Sequence, residues 1–240
     1  MAITTTSRIV LLGATSGIGL ATARAAAEAG ASVIIGSRNP ASVERALAQL
    51  PAGVTGRVVD ATSSESLAAF FTGIGSFDHF AYTAGDPLAG LPLADYTVEA
   101  GRSFFALRLV HALDAVRLAV PQLSERGSVT LTSGTAAFKG GRGWMLGAAA
   151  SGAVVSVVRS LAVELAPIRV NAVAPGVVRS PLWSGMSEED REAMYRATGE
   201  QLPLGRVAEV DDVAKAYLAL MDQDYVTGTV SVVDGGTLVA

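Results

Sequence analysis

The segment Gly13-Ala14-Thr15-Ser16-Gly17-Ile18-Gly19 leaves this chain few choices of fold. A short apolar run, Arg8–Leu12, leads into it, and an alanine-rich helical pattern over residues 18–29 leaves it and stops at Gly30. A strand that turns tightly into a helix on glycines presents unpaired backbone N–H groups at the positive end of the helix, where a pyrophosphate is held. The spacing is G-x-x-x-G-x-G rather than the G-x-G-x-x-G of most dinucleotide sites, and its setting between strand and helix gives it meaning. Glycines kept only for turn torsions are the plainer alternative. The flanking strand and helix weigh against it.

The same alternation continues along the chain. Ser32–Gly36 reads as a buried strand, Ala41–Leu50 as a helix, Arg57–Asp60 as a third strand followed by a helix from about Ser64, and Asp78–Tyr82 as a fourth strand. A mostly helical stretch runs from Asp95 to about Leu123, followed by a strand at Ser128–Thr132, a small-residue helix at Gly147–Leu165 and a strand at Arg169–Ala174. An irregular segment spans Pro175 to Leu204, before a helix at Val210–Met221 and a last strand at Thr229–Val233. Strands separated by helices through short connections predict an α/β protein of Rossmann type, a doubly wound, predominantly parallel sheet with helices on both faces. No linker or repeat divides residues 1–240, so one domain is expected.

Composition removes several classes of chemistry. The 240 residues contain no cysteine, which excludes a thiolate nucleophile, a cysteine zinc site and disulfides. The two histidines, His79 and His111, have no metal-ligand spacing and read as structural, so no metal is expected. A net charge of -4 without a Lys/Arg block gives no nucleic-acid footprint. Residues 1–8 lack the pattern of a signal peptide, and the apolar stretches are broken by Gly, Ser and Arg before about 18 residues, the length of a membrane span. A soluble, cytoplasmic protein with a small-molecule substrate, and neither membrane nor nucleic acid as partner, is the expectation.

The end of the second strand discriminates between cofactors. A carboxylate there binds a ribose 2′-hydroxyl, whereas an arginine accommodates a 2′-phosphate. The chain has Gly36-Ser37-Arg38, with no carboxylate until Glu44. Ser37 and Arg38 offer a phosphate a charge-assisted contact. NADP(H) is therefore expected over NAD(H), although a solvated surface arginine is the alternative reading of Arg38.

With these motifs in place, the chain resembles the short-chain dehydrogenase/reductase family over essentially its whole length. The Gly13–Gly19 turn is similar to that family's cofactor loop, with Gly13, Thr15, Ser16, Gly17, Ile18 and Gly19 around the cofactor phosphates. Asp60, followed by Ala61, resembles the aspartate at the adenine, and Tyr82-Thr83-Ala84-Gly85 stands where the family has Asn-Asn-Ala-Gly. Arg169 to Gly176 resembles the segment leading to the nicotinamide, so that Pro175, Gly176, Val178 and Ser180 are implied on that side. Leu204-Gly205-Arg206, Asp211 to Ala214 and Thr227 to Gly236 are similar to C-terminal signatures. The resemblance implies a seven-stranded sheet and a homo-oligomer, a dimer or tetramer.

The resemblance also implies a serine, a tyrosine and a lysine four residues after the tyrosine, the last two on one helix face as general acid/base and its supporting cation. The tyrosines are Tyr82, Tyr96, Tyr195, Tyr217 and Tyr225, and the lysines are Lys139 and Lys215. None of these tyrosines has a lysine four residues on. The family positions fall at Gly134 for serine, Gly147 for tyrosine and Ser151 for lysine, with Ser133 next to the first. The family's helix asparagine, implied near Arg102 or Ser103, is also missing. Glycine has no proton to give, and losing a general acid typically costs about 10²–10⁴ in rate.

The catalytic residues are thus unknown from sequence, with Ser133 and Asp86 as weak candidates. Asp86 follows Ala84 and Gly85 at the carboxyl end of the fourth strand. Lys139 and Arg142 read as loop charges, Trp144 as a pocket wall or subunit contact, and Tyr195 as a lid or packing residue. Gly147 beside Ala148, Ala149 and Ala150 is expected to enlarge the pocket. Three functions remain: a non-standard NADPH-dependent reductase of a carbonyl or imine, an inactive NADP(H)-binding sensor or scaffold, and a non-redox cyclase or lyase.

Overall fold

The structure, a computed structural model, describes residues 3–240, so the first two residues of the N-terminal stretch lie outside it. The elements run β1 (Arg8–Leu12), α1 (Gly17–Glu28), β2 (Ser32–Ser37), α2 (Pro40–Leu47), β3 (Thr55–Val58), α3 (Ser64–Ile74) and β4 (Phe77–Tyr82). There follow α4 (Val98–Phe105), α5 (His111–Ala119), β5 (Leu123–Thr132), α6 (Met145–Glu164), β6 (Arg169–Pro175) and β7 (Val178–Arg179). The chain closes with α7 (Glu188–Gln201), β8 (Ala208–Glu209), α8 (Val210–Asp222) and β9 (Val230–Val233).

Seven strands pair in the order β3-β2-β1-β4-β5-β6-β9, and every pairing is parallel. This is the Rossmann-type, doubly wound sheet. Alternation along β1 explains its two faces. Val10 and Leu12 point to a core shared with Phe71 of α3, Val116 of α5 and Val158 of α6, while Ile9 and Leu11 meet Leu20 of α1 and Tyr217 of α8. The strand order reverses between β1 and β4, the switch point where open α/β sheets take ligands beyond their strand ends.

Several boundaries differ from the sequence reading for local reasons. The third strand ends at Val58, because Asp60 folds into a turn with Thr62 and its N–H donates to Ser66 Oγ. The stretch from Asp95 is mostly helical, as read, but within it Val98–Phe105 and His111–Ala119 flank a five-residue π-turn, Ala106–Val110. The segment read as irregular holds α7, capped by Ser187, whose oxygen accepts from Asp190 N at 3.1 Å ahead of an acidic first turn. It also holds β7, which pairs with β8 in a small second sheet. Contrary to the hydropathy reading, α6 is long and apolar enough to cross a membrane by length and composition. Its Val154, Val158 and Ala162 pack into the core.

Polar groups inside the fold are partnered across the sheet. The buried Arg169 guanidinium donates to the main-chain oxygens of Leu220 (2.6 Å) and Met221 (2.9 Å), near the end of α8. Tyr217, on the opposite face from α6, donates to Thr132 Oγ1 (2.6 Å), which donates in turn to the main-chain oxygen of Tyr82 (2.7 Å). His79, 2% exposed, shares a 2.8 Å bond between Nδ1 and Ser128 Oγ.

Burial, with the charge of Arg169 nearby, lowers the His79 pKa to about 4. The folded state therefore keeps His79 neutral while the unfolded chain binds a proton below the ordinary value of 6.5. The stabilisation is full above that value and is lost as pH falls toward 4, on the order of 3 kcal/mol over the whole window. Urea unfolding at a series of pH values should show a steeper loss for the native chain than for His79→Gln. Equal slopes would refute this assignment.

Candidate functional site

The close approach of two strand exits forms the floor of the site. Thr83 binds the Leu12 main-chain oxygen through its N–H (2.9 Å) and its Oγ1 (3.0 Å), drawing the end of β4 against the turn after β1. Gly13 lies in this gap at φ +84°, and a Cβ there would stand 2.4 Å from Ala84 N. No side chain fits. At the start of α1, Ser16 makes no side-chain cap bond, leaving first-turn N–H groups to an external acceptor.

A cleft of about 1310 Å³ opens over this floor. It gathers all the positions singled out for the cofactor: the Gly13–Gly19 turn, Ser37, Arg38, Asp60, Ala61, Ala84, Gly85, Pro175, Gly176, Val178 and Ser180. Arg38 is exposed and forms none of the ion pairs among the described residues. Thr15 Oγ1 donates to Ser37 Oγ at 3.4 Å, linking the turn to the end of β2. Asp60 Oδ1 accepts from Thr62 N (2.9 Å) and Thr62 Oγ1 (2.7 Å), which hold its carboxyl below the usual range. The uncapped helix, the side-chain-free floor and the basic far end fit an extended dinucleotide bearing phosphates.

The positions that the family resemblance assigns to catalysis, Gly134, Gly147 and Ser151, meet in the same cleft. Ser151 Oγ lies 3.1 Å from where a Cβ on Gly134 would stand, so these two positions face each other. Ser133 is turned to the helix instead, donating to the Ser151 main-chain oxygen at 2.9 Å. Gly147 lies under Trp144, whose Cε3 is 3.5 Å from a Cβ built there. Trp144 stands edge-on to Trp183 with ring centroids 5.8 Å apart, forming a wall as the sequence allowed. Lys139 also lines the cleft, with Nζ donating to the main-chain oxygens of Thr237 (2.8 Å) and Ala240 (2.9 Å).

Other candidates lie elsewhere. Tyr195 is 3% exposed, packs with Trp183 and Val207, carries Arg179 over its ring, and is a packing residue. Arg142, His79 and His111 do not line the cleft. Arg102, one of the two residues flagged near the missing asparagine, faces out beside Glu99, while Ser103 lines the cleft.

The residue that sequence reasoning missed is Arg108. It lies in the π-turn and lines the cleft, with its guanidinium carbon 4.4 Å from the Phe104 ring centroid and a donor bonded to the Asp86 main-chain oxygen. The i,i+4 spacing of Phe104 and Arg108 was a visible signal for that stacked pair. Its direction into the cleft was not, because the π-turn shifts the helix phase. Tyr82, 2% exposed, donates to the Leu107 main-chain oxygen at 2.8 Å and pins the turn; burial raises its pKa far above the ordinary tyrosine range.

Fold and cleft together define a dinucleotide-type α/β oxidoreductase scaffold, and comparison with known proteins places it. Residues 13–237 match the family model described as enoyl-(acyl carrier protein) reductase, and the chain belongs to the short-chain dehydrogenase/reductase family. The short-chain dehydrogenase/reductase ucsE of Acremonium sp is 34% identical over 97% of this chain and 95% of its own length. The solved structure of MalC from Malbranchea aurantiaca, described as a reductase/Diels-Alderase, aligns with TM-score 0.90 at 29% identity, covering 99% of this chain and 98% of that one. An NADPH-bound short-chain oxidoreductase from Pseudomonas aeruginosa PAO1, described as containing an atypical catalytic center, aligns with TM-score 0.89 at 28% identity over 99% and 98%.

Two glycines of the cleft should respond oppositely to alanine. Gly13→Ala drives a methyl into backbone at a positive φ, and is expected to lower stability by about 2 kcal/mol or more. Gly147→Ala meets only an ordinary contact inside a helix and should hold or raise stability by up to about 1 kcal/mol. Thermal unfolding of both variants decides this.

Proposed function

We propose that the chain is an NADP(H)-dependent oxidoreductase of a carbonyl or imine-type small molecule, working without the tyrosine–lysine acid–base pair usual in its family. One observation carries this reading: a single cleft joins the phosphate-type end at Ser37 and Arg38 to the positions Gly134, Gly147 and Ser151, where that pair and its serine would stand. The NADPH-bound oxidoreductase with an atypical catalytic center, similar over nearly the whole chain, supports it.

A bound NADPH supplies the hydride. The chain's own residues divide the remaining work. The turn from Gly13 to Gly19 would hold the pyrophosphate on the α1 N-terminus, and Arg38 would take the 2′-phosphate, favouring NADP(H) over NAD(H). Asp60 and Ala61 would border the adenine, Ala84 and Gly85 would line the cofactor's path, and Pro175, Gly176, Val178 and Ser180 would border the nicotinamide end. Gly147 has no acid to offer, so the proton arrives on an iminium substrate, from water, or from the exposed Asp86 at the rim. A second reading, ring closure in the same cleft, is supported by the likeness to MalC, a reductase/Diels-Alderase. The chain is further read as one domain, cytoplasmic and homo-oligomeric, the last testable by light scattering.

Purified protein titrated with NADPH and NADH should prefer NADPH, and Arg38→Ala should weaken NADPH binding about 10-fold while changing NADH binding little. NADPH oxidation is expected with cyclic imines or ketones. Ketone reduction should rise in the double variant Gly147→Tyr with Ser151→Lys, relative to the native chain. Tight NADPH binding with no oxidation on either substrate class would remove the reductase reading.

A further inference from the structure

The cleft contains a cation that the fold has positioned but not paired. Six ion pairs occur among the described residues, and Arg108 belongs to none of them. The Asp86 main-chain oxygen accepts the one hydrogen bond of Arg108, while the Asp86 carboxylate acts on it at longer range. A guanidinium carries five N–H donors, of which a single one has a protein acceptor here. The half-buried setting withdraws hydration and depresses the Arg108 pKa, and the Asp86 carboxylate, beyond ion-pair distance, offsets only part of that cost; an arriving anion in direct contact would offset more.

Its placement is constructed rather than incidental. The π-turn Ala106–Val110 inserts between α4 and α5, and such turns recur at functional sites. The buried Tyr82 hydroxyl holds the turn at Leu107 O, and the Phe104 ring supports the guanidinium. Both act on the orientation of one side chain.

The neighbouring wall is apolar. A side compartment of about 350 Å³ is lined by Leu88, Trp144, Trp183, Met186 and Met194, among others. Leu88 is two residues from Asp86, whose oxygen anchors Arg108, and two residues span at most about 7 Å. A planar guanidinium fork matches a carboxylate through two parallel bonds. Aromatic edges and methionine thioethers suit a ring system.

We propose that Arg108 is the substrate-anion receptor of this cleft: its guanidinium binds the carboxylate of a ligand whose apolar ring lies against Trp144 and Trp183. Tyr82 is its positioning residue. The inference rests on the reading of the cleft as the substrate site, and it narrows the substrate to a small cyclic carboxylic acid.

Both tryptophans of the chain line the cleft, so intrinsic emission reports occupancy. The full chain is titrated with cyclohexanecarboxylate, with the neutral cyclohexanecarboxamide and with inorganic phosphate. The carboxylate should bind about 10- to 100-fold more tightly than the amide, the range expected for a charge-assisted bond. Arg108→Gln should reduce carboxylate binding to the amide's level and leave the amide unchanged. Arg108→Lys should keep part of the preference. Tyr82→Phe should weaken the carboxylate several-fold and spare the amide, a split that simple loss of packing would not produce. Equal affinity for carboxylate and amide, unchanged carboxylate binding in Arg108→Gln, or phosphate binding as tightly as the carboxylate would each overturn the proposal. If Arg108→Gln does not fold, the native chain's preference and the Arg108→Lys variant decide. NADPH binding is measured separately by nicotinamide emission: carboxylate selectivity without NADPH binding leaves Arg108 assigned and removes the oxidoreductase reading, and the converse result does the reverse.

Discussion

The contact between Gly13 and the backbone of Ala84 is the constraint on which the rest of the site depends. Thr83 draws the exit of β4 against the turn after β1 by two bonds to one oxygen, and only a residue without a side chain fits between them. That approach brings the uncapped end of α1 beside the segment that runs on to Asp86 and Leu88. The proposed phosphate-holding and substrate-holding ends therefore share one floor. Neither can shift without the other.

The chemistry above that floor follows from what has been taken away and what has been added. Gly134, Gly147 and Ser151, to which the family resemblance assigns the hydroxyl, phenol and ammonium, line the cleft with small side chains or none. Trp144 leans over Gly147 and meets Trp183, so the wall becomes aromatic. Positive charge enters the cleft from a different element, in the π-turn, at Arg108. An arginine cannot serve as a proton donor at neutral pH, so on the proposed reading Arg108 offers charge recognition and not acid–base work.

The fold was readable from sequence because buried parallel strands and alanine-rich helices leave strong, local signatures. The Gly13–Gly19 turn, the alternation through Ser128–Thr132 and Arg169–Ala174, and the absence of a tyrosine–lysine pair were all visible. Features set by nonlocal bonding were not. Asp60 fell outside β3 because Thr62 and Ser66 claim its polar groups. The cap of α7 at Ser187 was legible, with acidic residues after it, but the glycines and prolines around it masked the signal. The π-turn was not read from sequence, and the bond it receives from Tyr82 comes from a residue more than twenty positions away. Arg108 was lost with it.

The hydrogen-bonded line from Tyr217 through Thr132 to Tyr82 crosses the sheet from the face opposite α6 to the edge of the cleft. Tyr82 carries that line onward to Leu107 and the π-turn. The rear of the molecule is therefore not neutral ground for sequence drift. A relative that changes the residue at the Tyr217 position alters an anchor two bonds behind the ligand wall, and substrate range can diverge between homologues whose clefts are lined identically.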